Sequence, residues 1–261
     1  MEQVLLLSFY KLHLQYCGTN YLGFQIQPEG KTIQGELNNA IKLIAKSDEI
    51  KTIGSGRTDS GVHAFGQIVR IEMPLEIEGR NLVRALNTKL PNDIRVIHAE
   101  TCSENFHPIF SAKSKEYNYV FSTKEIPSPF VHDLVTFHTF ELDMDKVQAA
   151  CKEFIGEYDF VNFQAKGTEV ESTVRRILEC ECIHFEVGGP FGNILSDYYV
   201  VRVVGNGFLK QMVRLMMGAI FNAGRGKITN QDIKSALLGA KVERLGATAP
   251  PNGLYLKEVH Y

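Results

Sequence analysis

Tryptophan is absent from this chain, and no apolar run approaches the roughly 18 residues that a membrane-crossing helix needs. Cysteine is sparse: the five are odd in number and widely scattered, so they make no disulfide framework, which fits a reducing compartment. An excess of positive charge is also missing. The net charge is −2, so any nucleic-acid partner must be met by lysines and arginines gathered in space rather than by overall charge. No metal motif stands out. The nearest is Cys180, Cys182 and His184 within CECIH, which alternate along one strand face beside Leu178. Tetrahedral zinc sites draw their ligands from turns and separate elements, so these residues read as a half-buried strand and no metal is expected. The opening Met1-Glu2-Gln3, followed by Val4 to Leu7, lacks the basic flank and cleavage site of a signal peptide. It reads as a first strand, and cytoplasmic residence is expected.

What the chain does have is 261 residues, 44% hydrophobic and 22% charged, enough for one large domain or two small ones with a substantial core. The pattern of elements is played twice. Leu5 to Gln15 reads as an aromatic, apolar strand closed by Gly18, Thr19 and Asn20. Thr32 caps a helix with Ile33, Leu37, Ile41 and Ile44 at helical spacing. A strand into Gly54, a Gly-rich turn, a strand from Gln67 to Met73, a helix near Asn81 to Leu90 and a strand near Ile94 to Thr101 complete the order βαββαβ. From Lys115 the order recurs. A strand carries Tyr117, Tyr119 and Phe121 on one face, and a helix from about Asp145 buries Val147, Ala150, Cys151 and Phe154. Strands Val174 to Val187 and Asp197 to Val204 flank the turn Gly188-Gly189-Pro190. A helix from Phe208 to Asn222, a shorter one from Asn230 and a strand from Gly253 to Val259 follow. The predicted fold is α+β: two ferredoxin-like βαββαβ halves, 1–110 and 111–261, whose mainly antiparallel sheets join around a central cleft.

The most informative stretch is GSGRTDSGVHAFG, Gly54 to Gly66, in which four glycines bracket Arg57, Asp59 and His63. A bland hairpin needs fewer; this density suits a backbone that approaches a ligand or holds a side chain in an unusual pose. Arg57 and Asp59 are two apart and face the same way if the segment is extended, so the arginine would hold the carboxylate ionised. Such a carboxylate can serve as nucleophile or base, and a salt-bridged turn is the plain alternative. A metal pair of Asp59 and His63 would need a helix that the glycines oppose. A Walker loop would need a Gly-Lys-Ser or Gly-Lys-Thr ending that is not there. Lys210 and Arg214, four apart, would share one face of the helix after Gly207, opposite Leu209, Met212, Met216 and Ile220. A solvated basic face reads equally well.

GRTDSGVHAFGQ resembles the signature GRTDxGVHxxGQ of the TruA family of pseudouridine synthases, and it does not stand alone. Tyr16-Cys17-Gly18-Thr19, Gly23-Phe24-Gln25 and Thr32 to Leu37 are similar to that family's opening block. Asn87 with Leu90-Pro91-Asn92-Asp93-Ile94, then Phe106-His107 with Phe110-Ser111-Ala112 and Tyr117-Asn118-Tyr119, resemble its middle. Asn206 to Leu209, Met212-Val213-Arg214 and Gly253 to Leu256 resemble its close. Blocks in this order span residues 14 to 256.

The resemblance implies an isomerase that converts uridine to pseudouridine in the anticodon stem-loop of tRNA, at positions 38, 39 and 40, with no metal or organic cofactor. It implies Asp59 as nucleophile, Tyr117 against the flipped uracil, Leu254 under it, and Arg57 organising the loop or contacting RNA. It sets the Lys210 helix beside the site, where Lys210 could pair with Asp59 and Arg214 contact substrate. The partner is tRNA, and the family's habit implies a homodimer. Without the resemblance, Tyr117 and Leu254 read equally as core residues. The phosphate track would draw on Arg70, Arg84, Lys113, Lys115, Arg175, Arg176, Arg225 and Lys227. Cys17 stands where aspartate is common, Phe24 where tryptophan is frequent, and Lys210 where arginine or tyrosine is usual. The alternatives are the same chemistry on another RNA, a non-catalytic RNA-binding module, and a metal-dependent hydrolase.

Overall fold

The computed structural model describes residues 7–167, 170–188, 197–240 and 242–261. Its contacts divide the chain into two units, Met1–Lys113 with Leu256–Tyr261, and Ser114–Tyr255.

In the first unit β1 (Ser8–Tyr16), α1 (Ile33–Ala45), β2 (Lys51–Gly54), β3 (His63–Met73), α2 (Gly79–Asn87) and β4 (Ile94–Thr101) follow the predicted order βαββαβ. Alternation explains β1: Tyr10, Leu12 and Leu14 are fully buried while their neighbours are half-exposed. Antiparallel registers set Leu12 opposite Val69 of β3 and opposite Ala99 of β4. The helices cover that inward face. Thr32 caps α1 by accepting the Gly35 N–H at 3.2 Å, and Ile33, Leu37, Ala40 and Ile41 are its buried stripe. Helix α2 buries Leu82 and Leu86, and its last residue, Asn87, is tied both ways to β4: its amide donates to the Val96 carbonyl and accepts the Val96 N–H. Beside β3 lies β10 (Leu254–His260), whose residues from Leu256 belong to this unit.

The second unit holds β5 (Ser114–Ser122), β6 (Thr136–Phe137), α3 (Met144–Glu153), β7 (Gly156–Asp159), β8 (Val174–Glu186), β9 (Asp197–Gly205), α4 (Met212–Gly224) and α5 (Asn230–Leu237). Strand order is β5-β9-β8-β7, antiparallel throughout, with β6 parallel to β5. Mainly antiparallel sheets with helices make the fold α+β, as the sequence predicts. Two short strands depart from that reading. β6 is only two residues long, and β7, GEYD, has no apolar alternation by which sequence could show it. Gly189 and Pro190 of the expected turn lie outside the described residues, as do Leu5 and Leu6.

Tyr119 and Phe121 of β5 point inward, where both rings meet Phe221 of α4 edge-on. Helix α4 is buried on almost every side; Arg214 and Asn222 are its partly exposed residues. It packs on α3, which in turn packs on β8 and α5. Cys180 of β8 is buried and hydrogen-bonded to Cys151 of α3, a bond that with burial lifts the Cys151 thiol well above its ordinary range. Burial pushes Cys182 up to about 12. These thiols behave as core atoms, in line with the expectation for CECIH. On the opposite sheet face Arg202 of β9 is ringed by Glu179, Glu116 and Glu181, and the carboxylates of Glu179 and Glu116 raise its pKa further.

The second core turns on Phe154, fully buried and packed edge-on against Phe163 at 5.1 Å. Phe154→Ala is expected to lower unfolding free energy by about 3–5 kcal/mol, read as a shift of the urea midpoint.

Candidate active site

Asp59 sits in the loop between β2 and β3, and a second segment, residues 16–24, holds that loop in place. Gly18 donates its N–H to Nδ1 of buried His63 at 3.0 Å, so that nitrogen is an acceptor and carries no proton. Tyr16, at the end of β1, meets Thr58 hydroxyl to hydroxyl at 2.8 Å, both groups buried. Phe24 donates its N–H to the Thr58 carbonyl at 3.1 Å. Tyr21 accepts from Gly61 N–H and Ser60 Oγ through its own carbonyl. Within the loop the Val62 N–H returns to the Asp59 carbonyl at 3.1 Å. The backbone on both sides of Asp59 is thus fixed by named bonds, each worth about 1 kcal/mol net.

Two glycines permit this contact. A Cβ at Gly18 would stand 2.0 Å from the Val62 carbonyl oxygen. At Gly23 it would stand 2.5 Å from the Thr58 oxygen, and the backbone there has φ +96°, which L side chains disfavour. Phe24, in place of the family's frequent tryptophan, fills the space over Gly54 and stacks on Tyr16 with centroids 6.4 Å apart. Tyr21 is secured from below: its hydroxyl donates to Asp93 Oδ1 at 2.6 Å, and burial with that carboxylate raises the phenol's pKa. Cys17, in place of aspartate, sits with its thiol 3.3 Å from Thr19 Oγ1.

Asp59 is half-buried, Thr58 buried and Arg57 exposed, the alternation of an extended segment. Thr58, between them, is bonded to the clasping segment through both its hydroxyl and its carbonyl.

The other expected residues belong to the second unit. Tyr117 of β5 is buried at 8% exposure and meets Phe208 edge-on at 4.9 Å. Leu254, 5% exposed, opens β10 after a single 3₁₀ turn, Pro251–Gly253. That turn is pinned: Asn252 donates to the His132 and Val135 carbonyls, and the Pro250 carbonyl lies 3.0 Å from the Tyr119 hydroxyl. Lys210 and Arg214 do not share a helix face. Helix α4 begins at Met212, because Gln211 takes φ 60° and the Lys210 carbonyl accepts the Ala165 N–H at 3.0 Å. Lys210 is exposed on the entry turn; Arg214 is half-buried, its Nε donating to the Ala249 carbonyl at 2.8 Å.

Of the cations considered for a phosphate track, Arg70 is removed: it is buried, ion-paired with Glu72 and laid over the Phe9 ring. Arg175 bonds back to the Ser172 and Val174 carbonyls, and Arg225 lies over Phe140. Arg84, Lys113, Arg176 and Lys227 are exposed. Among the described residues the grouping of three possible metal donors is His184, Glu186 and Asp197, all exposed and without Asp59 or His63. Sequence reading passed over Tyr16, Thr58, Gly23 and Tyr21 as site residues. The Gly-rich stretch marked Thr58, the family's opening block marked Tyr16 and Gly23, and nothing marked Tyr21.

The family model for tRNA pseudouridine synthase matches residues 13–111 and 150–261. The chain belongs to the tRNA pseudouridine synthase family. Over 252 residues it is 41% identical to tRNA pseudouridine synthase A of Bacillus pumilus (strain SAFR-032), covering 96% of this chain and 98% of that protein. The enzyme of the same name from Bacillus subtilis (strain 168) is 39% identical over 252 residues, with the same two shares. That of Limosilactobacillus fermentum (strain NBRC 3956 / LMG 18251) is 38% identical over 254 residues, 97% and 95% of the two chains. As a tRNA pseudouridine synthase the protein is an isomerase acting on uridine in tRNA, a reaction that needs no cofactor.

Gly23→Ala would force a methyl into the Thr58 carbonyl and shift Asp59. A displacement of about 1 Å at a reacting group can lower the rate about 100-fold. The expected result is a kcat loss of that order with KM for tRNA little changed, measured by steady-state kinetics.

Proposed function

We propose that this tRNA pseudouridine synthase modifies uridines 38, 39 and 40 of the anticodon stem-loop with Asp59 as the nucleophile. The observation that carries the reading is the clasped loop. A half-buried carboxylate is held in a segment whose neighbours Thr58, Ser60, Gly61 and Val62 are hydrogen-bonded, which is the pre-organisation that a reacting group requires. A uridine within a stem must leave its stack to be reached. Asp59 then bonds to the nucleoside, either at the ribose or on the base. By the ribose route its oxygen joins C1′ as the bond from C1′ to N1 breaks. The freed uracil turns, C5 joins C1′ as the carboxylate departs, the C5 proton is lost to solvent, and N1 takes up a proton in its place. Nothing is oxidised or reduced, and the atoms of substrate and product are the same.

In this reading Tyr117 and Leu254 contact the uracil, Tyr117 assisting proton transfer. Exposed Arg57 and Lys210, with half-buried Arg214, meet the RNA. Two chains form a homodimer in the cytoplasm and collect the scattered cations into one groove. That grouping is what a net charge of −2 demands of a protein that binds a polyanion. No helix of the described residues is long and apolar enough to cross a membrane.

Unmodified tRNA labelled with tritium at uridine C5 tests the reading, with wild type and Asp59→Asn assayed in EDTA. Wild type should release tritium in proportion to pseudouridine formed, with the label lost from positions 38–40, while Asp59→Asn releases none. Release by the variant would remove Asp59 from the nucleophile's place. Release from other positions or another RNA alone would overturn the anticodon assignment.

A further inference from the structure

The most exposed large apolar side chain among the described residues is Phe110, at 83%. A lone exposed phenyl on a mobile tail needs no explanation, but the turn that carries Phe110 is built and anchored. His107 donates its N–H to Ser111 Oγ at 3.3 Å, and Ser111 returns its N–H to the His107 carbonyl at 2.9 Å. The His107 imidazole turns inward so that Nδ1 faces the N–H groups of Ile109 and Phe110 at 3.3 and 3.4 Å. Those bonds put the imidazole flat against the phenyl, centroids 4.3 Å apart and planes 30° apart. One face of Phe110 is therefore backed by a second ring, and its exposure belongs to the other face and the edges.

The base of the turn is fastened as well. Buried Pro108 accepts the Tyr261 hydroxyl through its carbonyl at 3.0 Å, and Tyr261 packs on Phe106 at 5.2 Å. Lys11 lies over both rings, and Lys113 donates its N–H to the His260 carbonyl at 2.8 Å. The side chain of Lys113, three residues beyond Phe110, is exposed. A rigid aromatic plane, backed on one side, open on the other and followed by a free cation, matches the two demands of an unpaired nucleotide: stacking for the base and a positive charge for its phosphate.

We propose that Phe110, supported by His107, is a stacking platform for an unpaired nucleobase of the tRNA, with Lys113 serving the adjoining phosphate. The inference rests on tRNA being the substrate and is independent of which residue is the nucleophile. Because the turn is already ordered in the free protein, binding loses little conformational freedom there. Stacking requires an aromatic face rather than mere apolar bulk, which separates this role from a packing contact.

The test measures the dissociation constant of the full chain for unmodified tRNA by fluorescence anisotropy, together with KM, kcat and the oligomeric state in solution. Phe110→Ala should weaken binding about tenfold, the scale of one lost base stack, with KM rising in step and kcat unchanged. Phe110→Tyr should bind within about twofold of wild type, whereas Phe110→Leu should be as weak as Phe110→Ala. Binding by Phe110→Leu equal to wild type would overturn the proposal, as would an unchanged constant for Phe110→Ala. A loss that appears only with dissociation of the oligomer would assign the ring to a protein interface instead. Failure of the Asp59 assignment shows separately, as tritium release by Asp59→Asn, and leaves these binding constants untouched.

Discussion

The Val62 carbonyl oxygen occupies the place where any side chain at position 18 would begin, only 2.0 Å from an ideal Cβ there. This backbone-to-backbone contact, repeated where Gly23 meets Thr58, is the constraint around which the Asp59 loop is organised. It brings the segment after β1 close enough for Tyr16, Gly18, Tyr21 and Phe24 to bond Thr58, His63, Gly61 and the loop backbone. Without it Asp59 would ride on a Gly-rich loop with several accessible conformations. With it, the freedom that glycines confer on the loop is removed from outside.

The second unit uses a different device for Tyr117 and Leu254. There the side chains lie on strands, and position comes from the sheet and from a core of rings packed edge-on against Phe221. The 3₁₀ turn before Leu254 is held by Asn252 and the Pro250 carbonyl, so that residue too is fixed by a polar network within its own unit. Arg214 is oriented by a reciprocal pair of bonds with Ala249.

Much of this was legible in the sequence, for reasons that differ by element. Period-2 alternation in β1 and β5 and the capped period of α1 follow from one face being buried, so composition reports them directly. The start of α4 was misplaced because Phe208 and Leu209 carry the apolar pattern of the helix upstream across Lys210 and Gln211; the left-handed Gln211 and the captured Lys210 carbonyl mark the boundary. Spacing puts Arg57 and Asp59 on one side of the loop segment, but it does not report that Thr58, facing the other way, is bonded to the scaffold. The Gly18 and Gly23 contacts could not be read at all from spacing, since a close approach between distant segments leaves no trace but a glycine on one side.

The strand that completes the first unit is made after the second unit. Residues 256–261 lie against β3, where the Lys257 carbonyl approaches within 2.4 Å of the Cβ position of Gly66, and His260 accepts the Lys113 N–H. On the ribosome these residues emerge only after the whole of the second unit. The second unit can therefore gather its own core while the first still waits for its edge. Closure of the first unit is a long-range step, linking positions on either side of some 140 intervening residues, and such steps fold slowly. A nascent chain would thus hold the Asp59 loop beside an unfinished sheet, and full assembly of that loop's scaffold would wait for the second unit to be made.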